Sequence, residues 1–356
     1  MSNSQINFIE ESNLLRTLPF ISIIIPTKNE EKHISACIQS LEESDYPKDG
    51  FELIVIDGGS TDNTINVIRK MQKKYANIRL ICEKEANTSV GRNIGLKNAT
   101  GELIINFSSH AIAEKNFIKV LSTKLHNSEN DIAGVGCKDK IPPDQSSRVA
   151  RCIESVTNTK LGGSLMHQQM EFHKEDFADS ISFTAYKRNV LEKVGFFDPT
   201  IPSGDDAELN LRLKKAGYNL LYTPDTCVYR YKREKVTDFF WQMFNYGRSR
   251  MRINQKHSES LNFVYAMPML FILYLFMFPI VILLNNSVLL TAWVSVLFLY
   301  LLLVTGFSVM LSLRKRNLPL FIVCATLYIV EHFAYGSGLI SELVASKTSI
   351  NKNKRS

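Results

Sequence analysis

The run FISIIIP at residues 20–26 and the run FELIVI at residues 51–56 decide the fold. Both are continuous apolar stretches, which is typical of strands that are buried on both faces of a parallel sheet. Between them, residues 30–41 carry apolar side chains at the spacing of one helix face. The two runs and the helix predict a β-strand, α-helix, β-strand unit, from which parallel sheets are built.

The same alternation of strand and helix patterns continues along the chain. The turn at residues 57–62 offers Thr61 or Asp62 as the cap of a second helix. Further strands are predicted at 78–82, 103–107 and 132–135, further helices at 89–99 and 206–216, and a basic, aromatic segment at 236–252. No repeat or low-complexity linker interrupts this pattern, so the predicted fold class is α/β with a mostly parallel sheet.

The C-terminal hundred residues have a different composition. Residues 261–284 and 287–313 contain no charged side chain, and each run can cross a hydrocarbon core about 30 Å thick. A third apolar segment, at 318–340, contains Glu331 and His332 and either crosses the membrane or lies at its surface. The sequence therefore predicts a membrane-anchored protein and excludes a disordered chain, a collagen-like chain and a small disulfide scaffold.

The predicted domains follow these changes in composition. They are a polar N-terminal extension (1–18), the α/β domain (19–235), a basic juxtamembrane segment (236–258), the membrane domain (259–343) and a basic tail (344–356). The N-terminus lacks the apolar stretch of a signal peptide, so the α/β domain is expected in the cytoplasm of a multi-pass protein of the cell membrane. Three crossings would place the basic tail outside, whereas two crossings keep it inside; charge favours two.

Charge and cysteine usage exclude other classes of site. The net charge is +7, but the basic residues gather beside the apolar segments, as expected for flanks that face anionic lipid, and no nucleic-acid-binding module is present. The six cysteines show neither zinc-ligand spacing nor a disulfide framework.

The strand ends indicate where a ligand binds. In an open parallel sheet, ligands bind beyond the carboxyl ends of the strands. Thr27, Asp57 and the residues 108–110 follow three predicted strands and are expected at this edge. No GxGxxG and no GxxxxGK[ST] motif occurs there, which argues against a dinucleotide-dependent dehydrogenase and a P-loop phosphotransferase.

Five blocks in order resemble a known family. They are SIIIPTKNEE (22–31), FELIVIDGGSTDNT (51–64), GRNIGLKNATGELIINF (91–107), FTAYKRNVLEKVGFFD (183–198) and GDDAELNLRLKKAGY (204–218). They resemble the inverting family 2 glycosyltransferases, which have the GT-A fold, a Rossmann-like α/β domain. Tyr246-Gly247-Arg248, His332 and Gly336-Ser337-Gly338 are most similar to the membrane-bound enzymes of succinoglycan assembly. The resemblance implies sugar transfer from a nucleotide sugar to a lipid-linked intermediate.

The resemblance implies a nucleotide-sugar site in the first three blocks. Asp57 is either a turn cap or the acceptor for an N–H group of the nucleotide base, and the second acid common in the family is Gly58 here. Uridine is therefore only the default base. Pro26 and Thr27 would line the same pocket, together with Glu30, whose alternative role is a charge at a helix N-terminus. Arg92 and Asn93 match the family's Arg-Asn pair, and Arg92 either binds the diphosphate or is a solvated helix charge.

The sequence departs from the family at Ser108, Ser109 and His110. Family members usually carry Asp-x-Asp here, which binds a divalent cation that bridges the donor's diphosphate. Without these acids, His110 either ligates a cation, with manganese ahead of magnesium, or donates a hydrogen bond directly to phosphate. The expected cofactor is therefore a divalent cation, Mn²⁺ or Mg²⁺, with His110 as its predicted ligand.

Asp205 and Asp206 open a helix and match the family's acidic pair. As structural groups, acids in a first turn stabilise the helix dipole by about 0.3 to 1 kcal/mol each. The resemblance gives Asp206 the role of general base, which removes the acceptor's proton. Asp205 is expected to raise the proton affinity of the pair by like-charge repulsion.

The juxtamembrane segment supplies the predicted acceptor site. Trp241, Gln242, Tyr246 and Arg248 fall where processive relatives carry Gln-x-x-Arg-Trp, and the departure from that motif favours addition of a single sugar. Arg248 either binds lipid phosphate or anchors the chain at the membrane. The expected partners are a nucleotide-sugar donor, a polyprenyl-diphosphate-linked acceptor and the membrane.

Three functions remain open from the sequence. The first is an inverting transferase that adds one hexose to a polyprenyl-linked acceptor during synthesis of an exported or capsular polysaccharide. The second is the same fold charging polyprenyl monophosphate. The third is a catalytically weak scaffold that binds nucleotide, motivated by the missing Asp-x-Asp and opposed by Asp205 and Asp206.

Overall fold

A computed structural model describes residues 18–163, 174–258 and 263–353, with side chains as far as residue 346. The chain divides into two compact units, of which the first ends at residue 231 and the second contains residues 143–163 and the chain from 232 onwards. The predicted extension at 1–18, apart from Leu18, and residues 354–356 of the predicted tail lie outside the described residues.

The first unit is built on one sheet. Its described strands are β1 (Ile21–Thr27), β2 (Phe51–Asp57), β3 (Ile78–Cys82), β4 (Leu103–Asn106), β5 (Ala111–Ala113), β6 (Ile132–Lys140), β7 (Asp176–Phe177), β8 (Ala185–Lys187) and β9 (Asn219–Arg230). The order across the sheet is β3-β2-β1-β4-β8-β6-β9-β5, with β7 also paired to β9. Strands β3, β2, β1 and β4 are parallel neighbours, whereas β8 runs antiparallel to both β4 and β6.

Helices cover both faces of this sheet. The helices before the membrane segments are α1 (Ile34–Glu42), α2 (Thr64–Lys74), α3 (Thr88–Asn98), α4 (Phe117–His126), α5 (Arg148–Thr157), α6 (Arg188–Val194), α7 (Asp205–Lys215) and α8 (Val236–Lys256). Alternate residues of β1 face opposite ways: Ile23 and Ile25 join a core with α1 and α4, while Ile24 joins one with α3 and α7. Burial on both faces explains why β1 and β2 are apolar without alternation.

The observed boundaries differ from the predicted ones by a few residues. Helix α1 begins at Ile34 and not at the predicted Glu30. Asn29 has a φ of 55°, which is not helical, and Glu30 contributes only its carbonyl, which accepts the N–H groups of His33 and Ile34. The strand predicted at 132–135 extends to Lys140. Asp62, one of the two predicted caps, accepts the backbone N–H of Thr64 at the start of α2, at 3.0 Å.

Helix α3 packs unusually close to β1 at Gly95. A Cβ atom at this position would lie 2.3 Å from Cγ2 of Ile24, whose side chain is fully buried. We expect Gly95→Ala to lower the free energy of unfolding by about 1 to 3 kcal/mol, since overpacking outweighs the better helix propensity of alanine. Thermal unfolding of the purified chain measures this, with Lys97→Ala on the exposed side of α3 as the control; an unchanged midpoint for Gly95→Ala would contradict the packing.

The second unit carries the apolar helices. They are α9 (Phe263–Phe276), α10 (Phe278–Leu283), α11 (Ser287–Arg314) and α12 (Leu320–Asn353). Among the described residues, the stretches Phe263–Leu283, Ser287–Arg314 and Leu320–Ser346 are long and apolar enough to cross a membrane. The apolar side chains of the first two stretches are largely exposed, with Leu283 and Val288 at 83% and 74%. The predicted membrane anchor is thus present, and the chain is a membrane protein.

Helix α5 belongs to this second unit, whereas the α/β domain predicted at 19–235 is continuous and includes it. Its buried face, with Cys152 and Val156, packs into the cluster that contains Tyr328 of α12. The segment that follows α5 is hydrogen-bonded to α12, because Nε2 of His332 lies 2.9 Å from the carbonyl oxygen of Leu161. His332 of the third apolar segment therefore contacts a protein group.

Candidate active site

The loops that follow β1 and β2 are joined at the carboxyl edge of the sheet. Oδ1 of Asn29 accepts a hydrogen bond from the backbone N–H of Thr61 at 2.8 Å. The backbone N–H of Asn29 donates to Oγ of Ser60 at 2.9 Å. The N–H of Glu30 donates to Oγ1 of Thr64 at 2.8 Å. These cross-loop bonds hold the rim on which several predicted site residues lie.

Asp57 ends β2 and is 1% exposed. Its Oδ2 accepts the N–H groups of Gly59 and Ser60 at 3.0 and 2.9 Å, so the carboxylate caps the turn. Its Oδ1 is buried and has no hydrogen-bond partner among the residues that the structure describes. One oxygen thus serves the predicted structural role, and binding of a nucleotide base by the other stays a prediction.

Pro26 and Thr27 end the neighbouring strand. The carbonyl of Thr27 accepts the N–H of Gly58 at 2.8 Å, which ties the ends of β1 and β2 together. Pro26 lies beneath the start of α3, where a Cβ at Gly91 would be 3.3 Å from the Cβ of Pro26. Both residues are therefore at the edge where they were predicted.

His110 is paired with Glu30 across 80 residues of sequence. Nδ1 of His110 lies 3.0 Å from Oε1 of Glu30, and the two side chains are 30% and 16% exposed. Oγ of Ser108 is 3.3 Å from each ring nitrogen, while Ser109 is buried. The Glu30 carboxylate is thus a partner of the His110 imidazole and does not serve as a charge in the first turn of α1.

The predicted cation has little to hold it here. In the described part of the chain, no three His, Cys, Asp or Glu side chains come together to form a metal site. Manganese and magnesium prefer several oxygen ligands, and this loop offers the Glu30 carboxylate, already bonded to His110, and two serine hydroxyls. The residues present do not fit a protein-built cation site, and the metal role of His110 stays a prediction.

Arg92 is locked in a buried ion pair. Its Nη1 lies 2.9 Å from Oδ1 of Asp205, and the two side chains are only 17% and 4% exposed. The guanidinium also lies over the ring of Phe197, 5.0 Å from the ring centroid. Arg92 is therefore not a solvated helix charge, and its first contact within the protein is the acidic pair.

Burial raises the pKa of the Asp205 carboxyl, Arg92 opposes this rise, and the nearby charge of Asp206 adds to it. Oδ2 of Asp205 also accepts a hydrogen bond from Ser89 at 3.2 Å. Ser89 lies at the start of α3, and its single O–H is shared between this oxygen and the carbonyl of Ile201. Asp205 is consequently held on both oxygens and is poorly placed to take a proton from a substrate.

Asp206 is the partly exposed member of the pair. It lies in the first turn of α7, where its Oδ1 accepts the N–H of Ala207 at 2.9 Å. The positive end of the helix dipole stabilises a carboxylate in this position. Fixed beside a buried neighbour and open to solvent, Asp206 has the accessibility that a general base requires.

Asn93 is hydrogen-bonded to the backbone of Phe197. Its Nδ2 donates to the carbonyl of Phe197 at 2.7 Å, and its Oδ1 accepts the N–H of the same residue at 2.9 Å. The amide clamps the backbone that carries the ring beneath Arg92. Its role in donor binding stays a prediction, and the geometry supports a positioning role.

The predicted acceptor residues lie on α8 in the second unit. Trp241 is 59% exposed, and Nε2 of Gln242 lies 3.3 Å from the hydroxyl of Tyr246 one turn along the helix. Nε of Arg248 lies 3.0 Å from Oε2 of Glu342 on α12. Arg248 therefore has an acidic partner in the protein, and acceptor binding by these residues stays a prediction.

Two polar residues of the first unit were missed by the sequence analysis. Ser89 supports Asp205, as described above. Asn106 ends β4 and is 7% exposed, and within the described ranges neither atom of its amide has a hydrogen-bond partner. The signal for Asn106 was available, because it is the one polar residue in the strand sequence LIIN.

Comparison with known proteins identifies the family. The family model "Glycosyl transferase family 2" matches residues 22–195, and "Glycosyl transferase family group 2" matches residues 119–309. The chain is 30% identical, over 93% of its length and 99% of the relative's, to the dolichyl N-acetyl-alpha-D-glucosaminyl phosphate 3-beta-D-2,3-diacetamido-2,3-dideoxy-beta-D-glucuronosyltransferase of Methanococcus voltae. The chain is a family 2 glycosyltransferase. The enzyme class and the resemblance predicted from the five sequence blocks are confirmed.

Other relatives of this glycosyltransferase share both its length and its fold. The succinoglycan biosynthesis protein ExoA of Rhizobium meliloti is 27% identical over 90% of this chain and 94% of its own. The mannosyltransferase PcManGT of Pyrobaculum calidifontis, solved with GDP-Man and Mn2+, superposes with a TM-score of 0.58 at 16% identity, covering 93% and 94% of the two chains. At this identity the structure supports the fold alone, and together with the family match it confirms the predicted GT-A domain.

Proposed function

We propose that this glycosyltransferase moves a single sugar from a nucleotide-diphosphate sugar, by default a UDP-sugar, to a polyprenyl-linked acceptor during synthesis of an exported polysaccharide. The observation that carries the proposal is the asymmetric acidic pair, with Asp205 locked by Arg92 and Asp206 left accessible. The full-length relatives support the acceptor class, since one is named for a dolichyl-linked substrate and the other for succinoglycan synthesis.

The reaction is a displacement at the anomeric carbon. The acceptor's hydroxyl oxygen forms the new bond to this carbon, while Asp206 takes the hydroxyl proton. The bond from the anomeric carbon to the diphosphate oxygen breaks, and its electron pair leaves with the nucleotide diphosphate. Because the base and the leaving group lie on opposite faces of the sugar, the configuration inverts.

Donor binding is assigned to the edge of the sheet. Oδ1 of Asp57 accepts an N–H of the base, and the backbone of Pro26 and Thr27 lines the pocket. Nε and Nη1 of Arg92 are buried without a hydrogen-bond partner in the described ranges, and Nη1 is ion-paired with Asp205, so we assign Nε to the sugar diphosphate.

The test is a panel of nucleotide sugars incubated with membranes that contain the chain and with native lipid extract. We expect one donor to release nucleotide in a lipid-dependent manner and to yield a lipid with two phosphates. A product with one phosphate and a single sugar bonded directly to it would instead identify the enzyme as a polyprenyl-monophosphate transferase. If no donor releases nucleotide under any condition, the catalytic proposal fails and a scaffold role replaces it.

We further propose that the chain crosses the membrane twice, with α12 at the cytoplasmic surface. Helices α8 and α12 touch backbone to backbone, since a Cβ at Gly338 would lie 2.1 Å from the carbonyl oxygen of Phe244. Glu342 of α12 pairs with Arg252 of α8 at 2.8 Å in addition to Arg248. An arginine-rich helix is costly within hydrocarbon, so this half of α12 is expected to lie at the interface.

Topology reporters test this arrangement. We expect a C-terminal fusion to green fluorescent protein to fluoresce and a C-terminal alkaline phosphatase fusion to be inactive, because two crossings return the chain to the cytoplasm. A phosphatase fusion after Asn285, between α10 and α11, should be active and serves as the control. An active phosphatase at the C-terminus would show a third crossing.

A further inference from the structure

The contact between His110 and Glu30 assigns the imidazole an orientation. Oε1 of Glu30 lies 3.0 Å from Nδ1, so this nitrogen carries the hydrogen that is donated to the carboxylate. Oγ of Ser108 is equidistant from both ring nitrogens at 3.3 Å and therefore lies on the axis of neither N–H bond. Nε2 is thus the ring atom left for a ligand.

Glu30 is itself held firmly. Its N–H donates to Thr64 at 2.8 Å, and its carbonyl accepts the N–H groups of His33 and Ile34 at 3.0 and 2.9 Å. The backbone of His110 is fixed as well, since its carbonyl accepts the N–H of Tyr231 at 3.2 Å. The pair is consequently a rigid feature of the rim that joins the ends of β1 and β4.

The pair occupies the place where the family usually carries a cation-binding Asp-x-Asp. A cation bridging two phosphates supplies positive charge and fixes their oxygens. Within the described part of the chain the residues do not fit a cation site, as shown above. When protonated, an imidazole with Glu30 on one nitrogen supplies a charged N–H at the other, and charge-assisted hydrogen bonds are about twice as strong as neutral ones.

We propose that His110, positioned by Glu30, binds the donor's diphosphate directly through Nε2, so that this enzyme needs no divalent cation. The proposal rests on the proposed function and specifies how its donor site recognises phosphate. His110 is the residue that contacts the substrate, whereas Glu30 is a positioning residue that sets the ring's orientation and keeps its charged form paired.

Binding of the nucleotide diphosphate tests the proposal without relying on turnover. UDP and GDP are titrated by calorimetry into the purified full-length chain in detergent, once in EDTA and once in Mn²⁺. We expect binding of one of them to be equal in both buffers. His110→Ala should weaken it by about tenfold or more, because a hydrogen bond to a charged group is lost. His126→Ala, at the exposed end of α4, is the matched control and should bind as the wild type does.

Two further variants separate positioning from folding. Glu30→Ala should weaken nucleotide binding as much as His110→Ala, while Glu30→Gln, which still accepts the Nδ1 hydrogen, should weaken it less. Both should keep the wild-type unfolding midpoint, whereas a purely structural role for Glu30 would lower the midpoint and spare the affinity of the folded protein. The double variant Ser108→Asp with His110→Asp rebuilds Asp-x-Asp and should bind nucleotide only in Mn²⁺.

Wild-type binding that requires Mn²⁺, or unchanged binding by His110→Ala in EDTA, would overturn the proposal. These outcomes are distinct from failure of the proposed function. An enzyme that transfers sugar only in Mn²⁺ retains its function and loses this inference, whereas a chain that consumes no nucleotide sugar with or without Mn²⁺ loses the function itself.

Discussion

Replacing Asp206 by asparagine is expected to lower the rate of sugar transfer by about 10²- to 10⁴-fold, the range that general-base catalysis contributes. The side chain keeps its shape and can still accept the N–H of Ala207, but an amide cannot take the acceptor's proton. Affinity for the nucleotide should not change, since the group acts on the acceptor. Initial rates of nucleotide release with lipid acceptor, together with calorimetric nucleotide binding, measure both effects.

The matched control is Asp49→Asn, which removes the same charge from an exposed position of the same unit. We expect it to transfer sugar at the wild-type rate. Turnover by Asp206→Asn within a few-fold of the wild type would remove Asp206 from the mechanism. Equal losses of activity in both variants would attribute the effect to net charge.

Replacing Arg92 by methionine is expected to destabilise the first unit by about 3 to 5 kcal/mol, because the variant leaves the Asp205 carboxylate buried without its counter-ion. Transfer should also fall sharply, since Asp205 fixes the turn from which Asp206 projects. The thermal unfolding midpoint of the purified chain reports the stability, and a denaturant titration converts it to a free energy.

A double variant shows whether the loss comes from the buried charge. Arg92→Met combined with Asp205→Asn should be more stable than Arg92→Met alone, because no charge is then left unpaired. Lys214→Met removes a cation from the exposed pair with Asp179 and should cost less than about 1 kcal/mol. If Arg92→Met were as mild as Lys214→Met, the buried pair would not support the site.

The parallel half of the sheet was predictable from sequence because its strands are buried on both faces. Strands β1 and β2 are continuous apolar runs with turn residues at their ends, and each lies within a residue or so of its predicted position. Strand β9 was missed. It has an exposed Pro224, and a register shift interrupts its pairing with β6, so its sequence has no regular alternation.

The positions of site residues could be predicted from the sequence only where a local pattern around a single residue indicates them. Asp57 and Asp206 each follow a local pattern, a strand end and a helix start, and both lie where those patterns predict. The pairing of Arg92 with Asp205 and of His110 with Glu30 joins residues 113 and 80 positions apart. Contacts of this kind depend on how α3, α7 and the strand ends pack together, and no spacing within a single segment reveals them.

The stereochemistry of transfer tests the central claim most directly. The purified enzyme is given an α-linked nucleotide sugar and a lipid acceptor, and the anomeric configuration of the isolated product is read by NMR. Direct displacement with Asp206 as the base predicts a β-linked product and none of the α-linked one. A product that keeps the α configuration would contradict the account, since it requires attack from the face of the leaving diphosphate.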